Sequence, residues 1–512
     1  MEICSYVCYI RFRSGVEFSR AMPRAARDVD QASTGRLRSD YDAWPSPIET
    51  LRMRKNAYRA ASAVIGLLLA ACATTFNEPI NIPVASDADI APLAAPPDVP
   101  GDTVVALAFS GGGTRAAAFA YGAMRGLDRL PTRNGGTYFD RIIFISGVSG
   151  GSVAAAYFGL KGRLALADFR ERFLLKNAEE DLNTRVSLVN LARGFEGGVN
   201  DSSRLAGWLD QNLYEGATLA NLFRPGKPVV WINASDLYNR TPFLFSPVTF
   251  QALCSDPRNY PISQAVAASA AVPIAFVPIV VASYSDACSV PLPAWVDRVI
   301  ASHTAGAQVR AFARALKRYR DPEQVRFVKL ADGGITDNFG LSGIVIAREA
   351  AGQPYAPLSR EKAVRLRHVV FIIVNSGLGP RGEWARTVQG PSGKEMIGAL
   401  TDTAINSAVR SGFDAFRLSV KSWQDATRKW RCTLSRAEAV KLGATGDWRC
   451  SNISFDVVEI GFDQLDTARA ARLDQVPTRF HLPEAEVDLV VQAGSDALLA
   501  HPTVRAVLGR AN

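Results

Sequence analysis

Residues Leu107–Gly122 read LAFSGGGTRAAAFAYG, and residues Phe144–Val153 read FISGVSGGSV. These two stretches decide the fold. Each opens as a short apolar run, passes through glycines and continues into an alanine-rich run of helical composition. A buried strand, a glycine turn that lets backbone approach closely, and a helix together make the unit of an α/β sheet. The pattern recurs along the chain. TVVALAF (103–109), RIIFIS (141–146), KPVVWINASDL (227–237), RFVKLADGG (326–334) and HVVFIIVNSG (368–377) are β-branched runs bounded by turn residues. Helical patterns lie between and after them, near 114–130, 150–160, 164–182, 201–213, 262–270, 341–350 and 395–420. Strands alternating with helices predict an α/β/α fold, with a central, mostly parallel sheet covered on both faces.

Working outward, residues 53–75 read MRKNAYRAASAVIGLLLAACATT. Basic residues precede an apolar run from Ala60 to Ala71 that is too short to span a bilayer and has the form of a secretory h-region. It ends in Leu69-Ala70-Ala71-Cys72, which resembles a bacterial lipobox, where the cysteine carries lipid and becomes the mature N-terminus; a buried helix ending at a cysteine is the plainer alternative. Residues 1–52 then read as an over-called start, 53–71 as a lipoprotein signal peptide and 72–101 as a flexible tether. The expected location is the bacterial envelope. Ala73 after Cys72 resembles the outer-membrane rather than the inner-membrane sorting pattern.

A net charge of +9 over 512 residues is mild, and no basic run is dense enough to argue for nucleic acid. Beyond the leader, Cys254, Cys288, Cys432 and Cys450 remain. Their spacings are not those of a zinc site, and 254–288 with 432–450 is the simplest of three disulfide connectivities, free thiols being the alternative. Residues 102–380 are expected to form the catalytic domain and 381–512 a C-terminal extension packing on it. The long connections 285–326 and 380–450 suggest lids or surface elaborations.

Gly147-Val148-Ser149-Gly150-Gly151 is G-x-S-x-G at a strand-to-helix turn, the setting in which a serine Oγ is lifted out of a sheet. Gly147 and Gly151 stand where side chains would collide, although a plain Gly/Ser turn has the same spelling. Four histidines could serve such a serine. His303 lies in an irregular connection, His368 precedes a strand, and His481 and His501 fall in the extension; none has a flanking motif. Asp332, at the end of a strand and followed by two glycines, is an alternative base, placed on the same rim as a nucleophile from a neighbouring parallel strand.

Gly111-Gly112-Gly113 could cradle a phosphate or an oxyanion. A P-loop needs Lys and Ser/Thr after its glycines, and GGGTRAAA has neither at the right spacing. Ala116 fills the third position of G-x-G-x-x-G, which some dinucleotide loops tolerate, but no acidic residue near 130–137 ends a second strand. The glycine amides, with Arg115 steadying the loop or adding positive potential, are read as an oxyanion hole.

The order GGGTR, GVSGG, DGG resembles the patatin-like phospholipases, and AASAAVPIAFVPI (267–279) is similar to that family's A-S-x-A-x-P-x-x-F-x-P block. The resemblance covers about 103–340. It implies a serine acylhydrolase acting on phospholipid or other lipid esters, with Ser149 as nucleophile, Asp332 as base, and Gly111, Gly112, Gly113 and Arg115 as oxyanion hole. No metal or other cofactor is implied. A thioesterase or acyltransferase on the same site, or a non-catalytic lipoprotein scaffold, is the competing expectation.

Overall fold

The computed structural model describes residues 77–86, 96–180, 182, 198–287, 289–380 and 382–509. The expected over-called start, the signal peptide and Cys72 lie outside them. Among the described residues no helix is long and apolar enough to cross a membrane.

Eight strands form one mixed sheet: β1 Thr103–Phe109, β2 Ile142–Val148, β3 Val229–Asp236, β4 Thr241–Leu244, β5 Ile279–Ala282, β6 Phe327–Asp332, β7 His368–Val374 and β8 Ser454–Ile460. The order across the sheet is β5-β6-β3-β2-β1-β7-β8, with β4 also pairing β3. From β3 to β8 all neighbours run parallel. The other end is antiparallel: β6 runs against β3, and β5 against β6.

Why the strands read as unbroken apolar runs is plain from β1, whose seven residues are all buried. Val105, Leu107 and Phe109 enter one core while Val104, Ala106 and Ala108 enter the other, as a period of two requires when both faces are covered. Helices α1 (Gly113–Asp128) and α2 (Gly150–Lys161) cover the first face. Helix α3 (Ile262–Ser269) packs beside them, and α4 (Ala307–Tyr319) sends Phe312, Leu316 and Tyr319 into the same core. The 39-residue helix α5 (Gly393–Arg431) covers the second face with Phe416, Val420 and Trp423. Helix α6 (Glu484–Ala500) returns to the first face against α1.

Three expectations need correction. The boundary at residue 380 does not divide the fold. β8 pairs β7 over its full length, so the stretch 381–512 completes the sheet rather than packing on a finished domain. Residues 285–326 are not a lid, because α4 is amphipathic and its apolar stripe belongs to the core. The described part of the tether is docked. Asn81 accepts from the Ala282 N–H through Oδ1 and donates to the Ala282 carbonyl through Nδ2, so its amide pairs the open edge of β5. Asn77 donates to the carbonyls of Val277 and Pro278.

Cys432 and Cys450 form a disulfide. Cys254 is also disulfide-bonded, and Cys288 lies outside the described residues.

Candidate active site

The two glycine stretches meet at the C-terminal ends of β1 and β2. Ser149 stands between β2 and α2 with φ 52° and ψ −125°, a strained conformation for a residue carrying a side chain. The turn has no spare volume. A Cβ on Gly150 would lie 1.9 Å from the Gly113 carbonyl oxygen, and one on Gly111 would lie 3.3 Å from Ser149 Cβ. The starts of α1 and α2 therefore touch through glycine backbone.

The strain at Ser149 is held by hydrogen bonds from below. Its N–H donates to Ser269 Oγ at 2.9 Å, and Ser269 Oγ donates to the Asn233 carbonyl at 2.5 Å. Asn233, on β3, sends Nδ2 to Ser146 Oγ at 2.9 Å and to the Gly147 carbonyl at 2.8 Å. The elbow is thus fastened to β3 and to the last residue of α3.

Asp332 reaches the site by a different route from the one expected. Its strand does not run parallel to β2. β6 runs antiparallel to β3, and the register sets Asp332 opposite Ala234, one residue from Asn233, which pairs Val148. Its N–H donates to the Ala271 carbonyl at 2.8 Å, and the Gly333 N–H donates to the Ser269 carbonyl at 3.1 Å. Residues 269–271 therefore position both candidate groups. The Gly334 N–H donates to Asp332 Oδ1 at 2.8 Å, and the Ser149 side chain lies beside the same carboxylate. Burial raises the Asp332 carboxyl from its ordinary 3.8 to about 6, the bonds from Gly334 and Ser149 opposing part of that rise.

Two of the four expected oxyanion donors are engaged elsewhere. The Gly111 N–H donates to Asn338, to the backbone oxygen at 3.3 Å and to Oδ1 at 3.2 Å. Arg115, 3% exposed, sends Nε to the Ser376 carbonyl at 3.1 Å and Nη1 to the Val476 carbonyl at 2.8 Å. Its guanidinium ties the glycine loop to the chain beyond β7 and beyond β8. Gly112 and Gly113 remain, at the start of α1, where the first N–H groups of a helix have no partner within it. Gly113 (φ 61°) could not be another residue: a Cβ there would lie 2.4 Å from the Arg479 carbonyl oxygen. That same carbonyl accepts from the Thr114 N–H at 2.7 Å.

No histidine shares this end of the sheet by strand or hydrogen bond. His368 opens β7 at the opposite end, with Nδ1 2.8 Å from Ser454 Oγ, while His501 caps a C-terminal turn. His303 and His481 are exposed. Ser269, Asn233 and Asn338 are the positioning residues that sequence reasoning left without a role. The first lies inside the quoted ASAAVP block and the last inside DGGITDN, so proximity to the motifs was the available signal.

Residues 107–344 match the family model of the patatin-like phospholipases. The chain carries a patatin-like phospholipase domain. The mixed sheet between helical layers agrees with that assignment. Among solved structures, the chain is similar to human GIVD cytosolic phospholipase A2, with 14% identity and a TM-score of 0.31 over 52% of this chain and 45% of that one. A second structure of the human protein, in complex with methyl γ-linolenyl fluorophosphonate, gives 11% identity and a TM-score of 0.32 over 80% and 59%. The chain thus spans less than two thirds of either structure's length. No curated protein matches it.

Proposed function

We propose that this protein hydrolyses carboxylic esters of lipids through a Ser149 acyl-enzyme, with Asp332 as the base. The observation that carries the reading is the Ser149 side chain set beside a buried carboxylate, at a strained turn touching a glycine loop. The carboxylate of Asp332 takes the Oγ proton as Oγ bonds to the carbonyl carbon. The amides of Gly112 and Gly113, fixed at the positive end of α1, receive the charge that develops on the carbonyl oxygen. As the ester C–O bond breaks, the protonated Asp332 returns its proton to the leaving alcohol. A water then gives a proton to Asp332 and attacks the acyl carbon, and Ser149 leaves with that proton. A carboxyl near 6 is a stronger base than an ordinary carboxylate and is still ionised at neutral pH.

The match of residues 107–344 to the patatin-like phospholipases supports lipid esters as the substrate class. A cleft of about 950 Å³ opens along Ile335–Phe339, immediately after the Asp332 turn, and is walled by Phe413 and Phe416 of α5. Covalent labelling tests the chemistry. A fluorophosphonate should modify Ser149 in the wild type and leave Ser149→Ala unmodified, and hydrolysis across a panel of phospholipids, simple esters and thioesters defines the class. Labelling elsewhere, or equal labelling of the variant, overturns the proposal.

The lipobox-like Leu69–Cys72 supports anchoring of the mature protein to the bacterial envelope by lipid on Cys72, more readily at the outer than the inner membrane. One acyl chain binds a bilayer only marginally, so stable attachment takes several. Cys72→Ser should move the protein out of the membrane fraction; unchanged retention, with an intact peptide spanning 53–80, rejects the anchor.

A further inference from the structure

At the opposite end of the sheet, where β1, β7 and β8 begin, we infer a second binding site, for the phosphate of a small phosphate monoester. A cavity of about 430 Å³ lies there, lined by Arg133, Arg365, Arg367, Arg431 and Arg449 against only two carboxylates, Asp102 and Asp447. Both carboxylates are engaged with one arginine: Arg367 pairs with Asp447 and lies 3.5 Å from Asp102. Arg365 pairs with Asp98, outside the cavity lining.

Arg431 is the decisive group. It is 1% exposed and has no carboxylate partner among the described residues. Nη1 donates to the Leu366 carbonyl at 2.9 Å and Nη2 to the Arg449 carbonyl at 3.1 Å, while Nε has no partner. A buried cation without a counter-charge is costly, and a bound anion removes that cost. Burial, with the nearby charges of Arg367 and Arg428, lowers its pKa to about 10. Arg449, also on the cavity wall, is exposed and joins no ion pair among the described residues.

The backbone at these two arginines is tied by a repeated tripeptide. Trp430-Arg431-Cys432 and Trp448-Arg449-Cys450 are joined by the Cys432–Cys450 disulfide, so each arginine directly precedes a bridged cysteine. Trp448 lies under the Arg431 guanidinium, 5.3 Å from ring centroid to Cζ, and donates through Nε1 to the Val364 carbonyl. Trp430 packs on Tyr355 with centroids 4.3 Å apart. Guanidinium groups match the oxygens of a phosphate, and two of them on the wall of one cavity favour a doubly charged group. The cavity exceeds what phosphate alone fills, and Asn134, Asn452 and Thr445 on its wall suit the hydroxyls of a small polyol. Free metabolite and lipid headgroup offer the same chemistry.

The test uses the oxidised mature protein with inorganic phosphate and glycerol 3-phosphate as probes in calorimetric titration. The expected result is one saturable site that prefers glycerol 3-phosphate. Its affinity should fall at least tenfold in Arg449→Gln, an exposed change that leaves the fold intact, and also on reduction of Cys432–Cys450. Flotation with phosphatidylcholine vesicles, with and without phosphatidic acid, distinguishes the sources. Arg449-dependent capture by the phosphatidic acid vesicles assigns a headgroup, and binding of the soluble probe alone assigns a metabolite. Absence of saturable binding of either soluble probe overturns the site, as does binding that neither Arg449→Gln nor reduction weakens.

Discussion

The two ends of the sheet's parallel strands carry hydrogen-bond donors of different chemistry. Where β1 and β2 finish, the donors are uncharged N–H groups of Gly112 and Gly113, and the ionisable neighbour is Asp332, itself an acid. Where β1, β7 and β8 begin, the donors are arginines, two of them next to bridged cysteines. Backbone dipoles cannot swing away and need no counter-ion, which suits a charge that exists only while a bond is being made. Full cations on side chains suit a charge that is permanent. Arg115 marks the contrast, since it sits within the glycine loop yet gives its guanidinium to the carbonyls of Ser376 and Val476.

The contrast breaks first at Ser149. Ser149→Ala and Asp332→Asn should each lower kcat for ester hydrolysis by at least about 10³-fold with the circular dichroism unchanged, since in the proposed mechanism both remove a member of one proton-transfer unit. Gly113→Ala comes next. With φ 61° and the Arg479 carbonyl at 2.4 Å from the added Cβ, it should lower the urea midpoint as well as kcat by displacing the amides. A variant that kept both would remove the loop from the mechanism.

Arg115→Met sharpens the comparison, because a donor and a tie fail differently. Loss of two buried charged hydrogen bonds should destabilise the protein by roughly 2–4 kcal/mol, with kcat of the folded fraction little changed. A stable variant with kcat down by 10² or more would restore Arg115 to the oxyanion hole.

Asp332 also links activity to pH. Its folded pKa is raised, so the associated stability is fully present below the ordinary value of 3.8 and is lost as pH rises through about 6. Above pH 6 the folded protein therefore holds an ion that burial disfavours. Asp332→Asn should be more stable than wild type at pH 7.5, by up to about 3 kcal/mol for a shift of roughly two units. That advantage should fade towards pH 4. Wild-type kcat/KM should fall tenfold per unit below about pH 6, where the base becomes protonated. The smallest effects belong to the histidines. Changing His303, His368, His481 or His501 to Gln should each keep activity within about tenfold, roughly 1.4 kcal/mol of barrier. A loss matching that of Ser149→Ala would replace the dyad with a triad.

Some of this was legible in the chain and some was not, for physical reasons. β1, β2 and β7 announce themselves because burial on both faces leaves no polar alternation, and the glycines mark the turns where backbone meets backbone. The direction of β6 could not be read. FVKLAD has the composition of a strand in either orientation, and register with β3, rather than a shared rim, brings Asp332 to Ser149. Ser269, Asn233 and Asn338 were equally hidden, because their roles depend on partners 36 to 227 residues away. Asn81 looked like part of a loose tether because nothing local shows that its amide pairs a strand edge.

The close packing of α1 on α6 has a consequence in time. A Cβ on Gly122 would lie 2.0 Å from the Val491 carbonyl oxygen, and one on Gly494 would lie 2.2 Å from that of Phe119, so the two backbones touch. Together with the Arg479 and Val476 carbonyls, this contact supports the glycine loop from residues that a ribosome adds long after Ser149 and Asp332. A nascent chain that has reached residue 470 already contains Ser149, Asp332 and every glycine of the site, yet lacks what holds Gly113 in place. Assembly of the candidate site is thereby deferred until that later stretch has been made.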